Sequence, residues 1–184
     1  MLRMLDIVLA GIGLLLALPL MVVLFLIGLF DTGAPLFRQV RVGRFKHPFT
    51  LVKFRTMRPD TQSVATHLAN PAAVTRMGHF LRRSKLDELP QLWNVLKGEM
   101  SLVGPRPCLF NQQALIAERE ARHVFDVRPG ITGLAQIQGI DMSTPRLLAE
   151  TDARMLKNLN LAAYCAYIIK TATGSGRGDR IQPR

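Results

Sequence analysis

From Ile7 to Phe30 the chain carries 24 consecutive residues without a charged side chain. Nothing else in the sequence narrows the possible folds as far. As a helix at ~1.5 Å per residue the run reaches about 36 Å, enough to cross the hydrocarbon layer of a bilayer. A removable secretory leader fits poorly, because the run is long and no small-x-small cleavage site follows it. Pro19 falls mid-run, where a proline removes a backbone hydrogen bond and strains the helix. Two readings follow. One is a spanning anchor. The other is a hairpin-like re-entrant helix, split at Pro19 into pieces of about a dozen residues, entering and leaving on one face. Arg3 precedes the run and Arg38, Arg41, Arg44 and Lys46 follow it, which suits two cytoplasmic ends.

The 184 residues accommodate this segment and one further domain. The expected division is a membrane-embedded segment over residues 1–32, a domain over 33–173, and a flexible Gly-rich tail over 174–184. With 24 Lys+Arg against 13 Asp+Glu, the net charge is +11. Beside a membrane segment, that excess points to anionic headgroups and phosphate-bearing substrates. No aromatic-interleaved basic motif argues for nucleic acid, and none is expected as a partner. Cys108 and Cys165 lack zinc spacing and read as reduced thiols, and the four histidines form no ligand pair.

The chemistry concentrates in SKLDELPQLWNVLKGEMSLVGPRP, residues 84–107. Leu86, Leu89, Leu92, Trp93 and Leu96 recur at helical spacing. Because Pro90 is tolerated only in a first turn, the helix is expected to start near Asp87 and stop at Lys97-Gly98. Asp87 and Glu88 then sit where free N–H groups favour anions. Taken alone, such a pair is most simply a helix cap. With Arg82 and Arg83 before it and Gly104-Pro-Arg106-Pro after the helix, it also makes a phosphate site, one carboxylate being available for a metal or for attack.

Around this block, Phe37–Val42 and Phe49–Met57 alternate as two strands about a turn at residues 43–48. Lys53 and Arg55 share one face of the second strand, either as a solvated face or as part of a phosphate site. Residues 58–75 read as a mobile loop. A polar helix is expected over 110–123, and Arg128 is held at the edge of a tight loop through Gly133. Ser143 and Thr144 can cap a helix that begins at Pro145. Leu161–Ala172 is too short to span, and reads as an interfacial amphipathic helix or a core helix.

KFRTM (53–57), the block from Leu81 to Pro107 and RPGITGLAQIQG (128–139), together with the N-terminal segment, resemble the bacterial sugar transferases. These are monotopic phosphoglycosyl transferases acting on polyprenyl phosphate. The resemblance covers nearly the whole chain in the family's order. It implies an α+β, mainly helical monotopic membrane protein: a re-entrant N-terminal helix, a small β-hairpin and interfacial amphipathic helices. It places the protein on the cytoplasmic face of the bacterial inner membrane. The implied reaction moves a sugar-1-phosphate from a UDP-sugar to undecaprenyl phosphate, releasing UMP, as the first membrane step of surface glycan assembly. Asp87 would be the nucleophile that carries the phosphosugar, and Glu88 would help to hold Mg²⁺. Arg82 and Arg106 match family arginines near the pair, and Lys53, Arg55 and Arg128 match its other basic substrate-binding positions.

Two departures stand out. The family's Ser-Pro break is here Leu18-Pro19, and a basic-polar run after the last motif is replaced by Ile140-Asp141-Met142. An N-acetylated amino sugar is expected, with glucose or galactose as alternatives, and self-association is left open. The competing function is a non-enzymatic basic module that binds the membrane surface, its acidic pair serving only as a cap.

Overall fold

The apolar run forms one helix. In the computed structural model, which describes residues 2–61 and 70–174, α1 spans Leu2–Thr32 and passes through Pro19 uninterrupted. The two expected pieces are thus joined in one helix with Pro19 inside it. A proline deletes one backbone hydrogen bond, and in a run without polar competitors the flanking turns keep theirs. Only Asp6, Ala10 and Leu24 of α1 are buried, so its outer side is a continuous apolar surface.

The inner side of α1 rests on the rest of the chain along its length. Leu2 and Leu5 join Val103, Met155 and Tyr164. Ala10 sits among Phe49, Leu51 and Val95. Met21 and Leu24 pack with Phe54 and Leu81. From Leu2 to Leu24 that is roughly 33 Å of helix at ~1.5 Å per residue. Near its start, buried Asp6 accepts hydrogen bonds from Ser101 Oγ at 2.9 Å, Leu102 N at 2.8 Å and the Tyr164 hydroxyl. Arg3 donates to the carbonyls of Val95 and Leu96 at 2.8 and 3.1 Å.

The expected hairpin is present. β1 (Leu36–Val42) and β2 (Pro48–Phe54) pair antiparallel, Leu36 opposite Phe54 and Val42 opposite Pro48. β2 ends three residues sooner than expected: Arg55 N still donates to Pro35 O opposite it at 2.8 Å, but Pro35 has no N–H to return and the ladder stops there. Of the loop expected over 58–75, residues 62–69 lie outside the described residues, as does the tail from 175 onward. α2 (Arg76–Ser84) leads to a 3-10 turn at Leu86–Glu88 and then α3 (Gln91–Lys97), which stops at Gly98 with φ 84°. The helix expected from Asp87 thus begins four residues later. Lys85, at φ 59°, reverses the chain ahead of the turn, and Pro90 brings no N–H to continue it.

The loop expected at residues 128–133 is in part a strand. β4 (Gly130–Thr132) pairs in parallel with β3 (Ser101–Val103). The backbones meet so closely that a Cβ on Gly130 would lie 2.0 Å from Gly104 N. The helices α4 (Gln113–Glu120), α5 (Leu134–Gln138), α6 (Pro145–Lys157) and α7 (Leu161–Ala172) complete the fold. α4 is shorter than its polar pattern suggested, while α6 begins at Pro145 as expected. α7 is apolar on both sides: Tyr164 is fully buried, whereas Leu161, Cys165 and Ile169 are exposed.

Candidate active site

Asp87 and Glu88 lie together on the 3-10 turn between α2 and α3, and both are buried, Asp87 to 1% exposure. Two fixed points hold that turn. Lys85 caps α2 through its backbone N–H and starts the turn in the left-handed conformation, while β2 packs against the turn. Carboxylates this deep are not simple surface caps, since acidic residues are seldom fully buried unless they have partners.

One partner comes from the loop after β3. Arg106 Nη2 donates to Glu88 Oε1 at 3.0 Å. The Arg106 backbone is fixed in turn by Arg119, whose Nη1 donates to the Arg106 carbonyl at 2.8 Å. Arg119 is itself locked to Asp152 by Nε and Nη2 bonds to Oδ2 at 3.0 and 2.7 Å, both residues being buried. Arg82 is steadied from the other side, its Nε donating to Thr56 Oγ1 at 2.8 Å.

Of the expected basic residues, Arg82 precedes the turn on α2 and Arg106 touches it. Lys53 and Arg55 lie on one side of the hairpin, as alternation predicts, at 5.7 and 5.6 Å from the Phe37 ring. Arg55 also ties the exit of α1 to β1, donating to Ala34 O at 2.7 Å and Leu36 O at 3.2 Å. Arg128 is not brought to the acidic pair. Its Nε donates to Gly98 O at 2.7 Å, so with Arg3 it closes the far, C-terminal end of α3. Cations there complement the helix dipole. Burial, then repulsion from Arg3 and Arg44, holds the Arg128 guanidinium below its usual pKa.

Sequence reasoning missed several neighbours. Lys85, Thr132, Gln136 and Thr171 line a cleft with Glu88 and Arg106. Gln136 lay within the RPGITGLAQIQG run, but only the fold brings it beside the acidic pair. Arg119 falls among the charges of the polar helix expected over 110–123, and nothing in its spacing marks it as buried.

A second, larger space adjoins the turn. An apolar groove of about 420 Å³ runs between α1, the hairpin and α3. Phe25, Leu26, Phe54, Pro90 and Trp93 line it, with Arg38 on its wall. Pro90 belongs to the segment that follows Glu88, so groove and carboxylates are neighbours. Trp93 is 55% exposed beside the outer apolar side of α1. Tryptophan at such an edge suits a membrane–water interface.

Among the described residues no group of three or more His, Cys, Asp or Glu could cage a metal. Mg²⁺ is usually bound by only one or two carboxylates together with substrate phosphates and water. Asp87 and Glu88 fit that requirement.

A buried acid pair, with Arg106 bound to one of its carboxylates, thus lies next to an apolar groove and an apolar helix. The chain belongs to the bacterial sugar transferase family, whose family model matches residues 1–177. It is 42% identical over 149 residues to the uncharacterized sugar transferase EpsL of Bacillus subtilis, covering 78% of this chain and 73% of that one. A UDP-glucose:undecaprenyl-phosphate glucose-1-phosphate transferase of Caulobacter vibrioides is 42% identical over 164 residues, 82% of this chain and 61% of the relative. A UDP-N-acetylgalactosamine-undecaprenyl-phosphate N-acetylgalactosaminephosphotransferase of Aeromonas hydrophila is 37% identical over 182 residues, 92% and 42% respectively. The chain thus spans only part of these two transferases, and they differ in the sugar they are named for.

Proposed function

We propose that this chain transfers a sugar-1-phosphate from a UDP-sugar to a polyprenyl phosphate at the cytoplasmic face of a bacterial membrane. One observation carries the reading: two adjacent carboxylates, buried on a short turn, with Arg106 bound to one of them and an apolar groove alongside. In the first step an Asp87 oxygen attacks the β-phosphorus. The bond from that phosphorus to the bridging oxygen breaks, UMP leaves with the oxygen, and a phosphosugar remains on Asp87. In the second step a polyprenyl phosphate oxygen attacks the same phosphorus and returns Asp87 as a carboxylate. The product is a polyprenyl diphosphate sugar, the starting lipid for a surface glycan.

The residues suit these steps. A carboxylate is a weak nucleophile toward an anionic diphosphate, so the developing charge has to be offset. Arg106 and Arg82 supply fixed cations near the turn, and Arg106 keeps Glu88 oriented. Mg²⁺, held by Glu88 and substrate oxygens, would add Lewis-acid charge neutralisation. The apolar groove offers a place for the isoprenoid chain, and Arg38 a charge near its phosphate. One-face attachment is supported by α1, which lies on the body from Leu2 to Leu24 instead of standing away from it. An N-acetylated amino sugar is the proposed donor sugar.

UMP release tests this, measured on a panel of UDP-sugars with Mg²⁺ and polyprenyl phosphate, wild type beside Asp87→Asn. Release from one UDP-sugar by wild type alone is the expected result. No release from any donor, by protein shown to be folded, would instead favour a membrane-surface binding module.

A further inference from the structure

Lys85 holds a backbone conformation that lysine seldom takes. It ends α2 at φ 59° and ψ 15°, the left-handed position where a helix terminus favours glycine. That conformation is costly for residues other than Gly, Asn and Asp, so a lysine kept there points to a use for its side chain. The side chain lies in the cleft with Glu88 and Arg106. Its Nζ donates to Thr171 O, in the last turn of α7, at 3.4 Å, a long bond to a neutral group. Thr171 is itself fixed, its hydroxyl donating to Tyr167 O at 2.9 Å and bonded to the Thr132 hydroxyl. The C-terminal end of a helix suits a cation, and so gives the ammonium a resting place beside the acidic pair.

The two cations that line this cleft are held differently. Arg106 is bound to Glu88 at 3.0 Å and its backbone is fixed by Arg119, so its guanidinium stays in one place. Lys85 is a compact ammonium on a flexible four-carbon stem, able to turn from a carbonyl to an anion. The proposed reaction has work for both. In each step the attacking and leaving oxygens lie roughly in line through the phosphorus. UMP therefore leaves on the side away from Asp87. The polyprenyl phosphate has to enter on that same side, because the bond it breaks is the one from phosphorus to Asp87. Both groups are phosphate monoesters, so one anion subsite must let go of the first and take up the second. A fixed arginine orients the carboxylates throughout, while a movable ammonium beside them suits the phosphate that is exchanged.

We infer that Lys85 binds the phosphate of UMP as it leaves and then that of the incoming polyprenyl phosphate, one subsite used in turn, an inference that rests on the transferase reading. The test is Lys85→Met in the full chain, which keeps an unbranched side chain at the left-handed position, with Lys85→Arg beside it. The two half-reactions would be timed apart: UMP release with formation of the phosphosugar protein, and discharge of that protein by polyprenyl phosphate. Expected for Lys85→Met is a fall of about 10²-fold in both rates. The UMP concentration that inhibits discharge should rise about tenfold, as the charged contact to its phosphate is lost. Lys85→Arg should recover most of each, and both variants should melt close to wild type. Discharge at the wild-type rate while UMP release is slowed, or unchanged inhibition by UMP, would overturn the shared subsite. So would a lower melting temperature with both variants equally slow, since Lys85 would then serve only to end α2. A wild type that forms no phosphosugar protein and releases no UMP from any donor would overturn the transferase reading, and this inference with it.

Discussion

Arg119→Met should destabilise the chain more than most single substitutions, and the reason is visible in its contacts. The guanidinium makes two bonds to Asp152 Oδ2, at 3.0 and 2.7 Å, and one to the Arg106 carbonyl at 2.8 Å. Side-chain exposure is 2% for Arg119 and 0% for Asp152, so solvent cannot replace what is lost. Removing one member of such a pair leaves a buried charge uncompensated, at about 3–5 kcal/mol. At ~2–4 °C per kcal/mol for a chain of this size, the unfolding midpoint falls by roughly 6–20 °C. Thermal unfolding of the detergent- or nanodisc-held protein measures it. The double variant Arg119→Met/Asp152→Leu removes both charges and should recover most of the loss, since an apolar pair of similar volume is often as stable. It should not recover UMP release, because the Arg106 carbonyl stays unheld and Arg106 orients Glu88. A single variant that melts within a degree of wild type would refute the reasoning, as would a double variant no better than the single.

Arg106→Met removes the 3.0 Å contact with Glu88 and should lower kcat for UMP release by about 10²-fold, as lost transition-state charge donors do. Melting should fall as well, though less than for Arg119→Met, because Glu88 stays buried without this partner while Arg106 itself is partly exposed. Gly130→Ala pushes a Cβ to 2.0 Å from Gly104 N and should cost about 1–3 kcal/mol in chemical unfolding by forcing β3 and β4 apart. Stability should also fall at alkaline pH. Burial raises the Cys108 thiol pKa, and burial followed by the Asp6 bond and charge raises that of Tyr164. Both groups then hold their protons more tightly folded than unfolded. Below the unfolded values, ~8.5 and ~10, their contribution is fully present; above them the unfolded chain releases protons first and stability drops. A melting temperature flat from pH 8 to 11 would contradict that assignment.

Much of the fold was legible because its signals are local. The apolar run, the alternating strands around residues 43–48, Pro145 opening a helix and Gly98 closing one are all written within a few residues of each element. What was not legible depended on distant contacts. The packing of α1 on three separate parts of the body, through Leu2 and Leu5, Ala10, and Met21 and Leu24, could not be read from an unbroken apolar run. β3 and β4 are three residues each, too short to show a period, and their pairing joins segments nearly thirty residues apart. For the site, the family motifs marked Asp87, Glu88, Arg82 and Arg106. Spacing could not tell that Arg128 would close the C-terminus of α3 beside Arg3. Nor could it tell that Arg119, one charge in a polar helix, would be the most buried cation among the described residues and the support of Arg106. Asp6 shows the same limit: a lone acid before an apolar run became the buried hub joining α1, β3 and α7.

The central claim is that Asp87 carries the phosphosugar, and intact-protein mass tests it most directly. Purified protein with Mg²⁺ would be given its UDP-sugar without lipid, quenched and weighed. The account predicts a mass gain equal to one sugar phosphate, mapped to the peptide containing Asp87, absent in Asp87→Asn and discharged by polyprenyl phosphate. UMP release at full rate with lipid, but no mass gain at any quench time without it, would contradict the account and point to direct displacement.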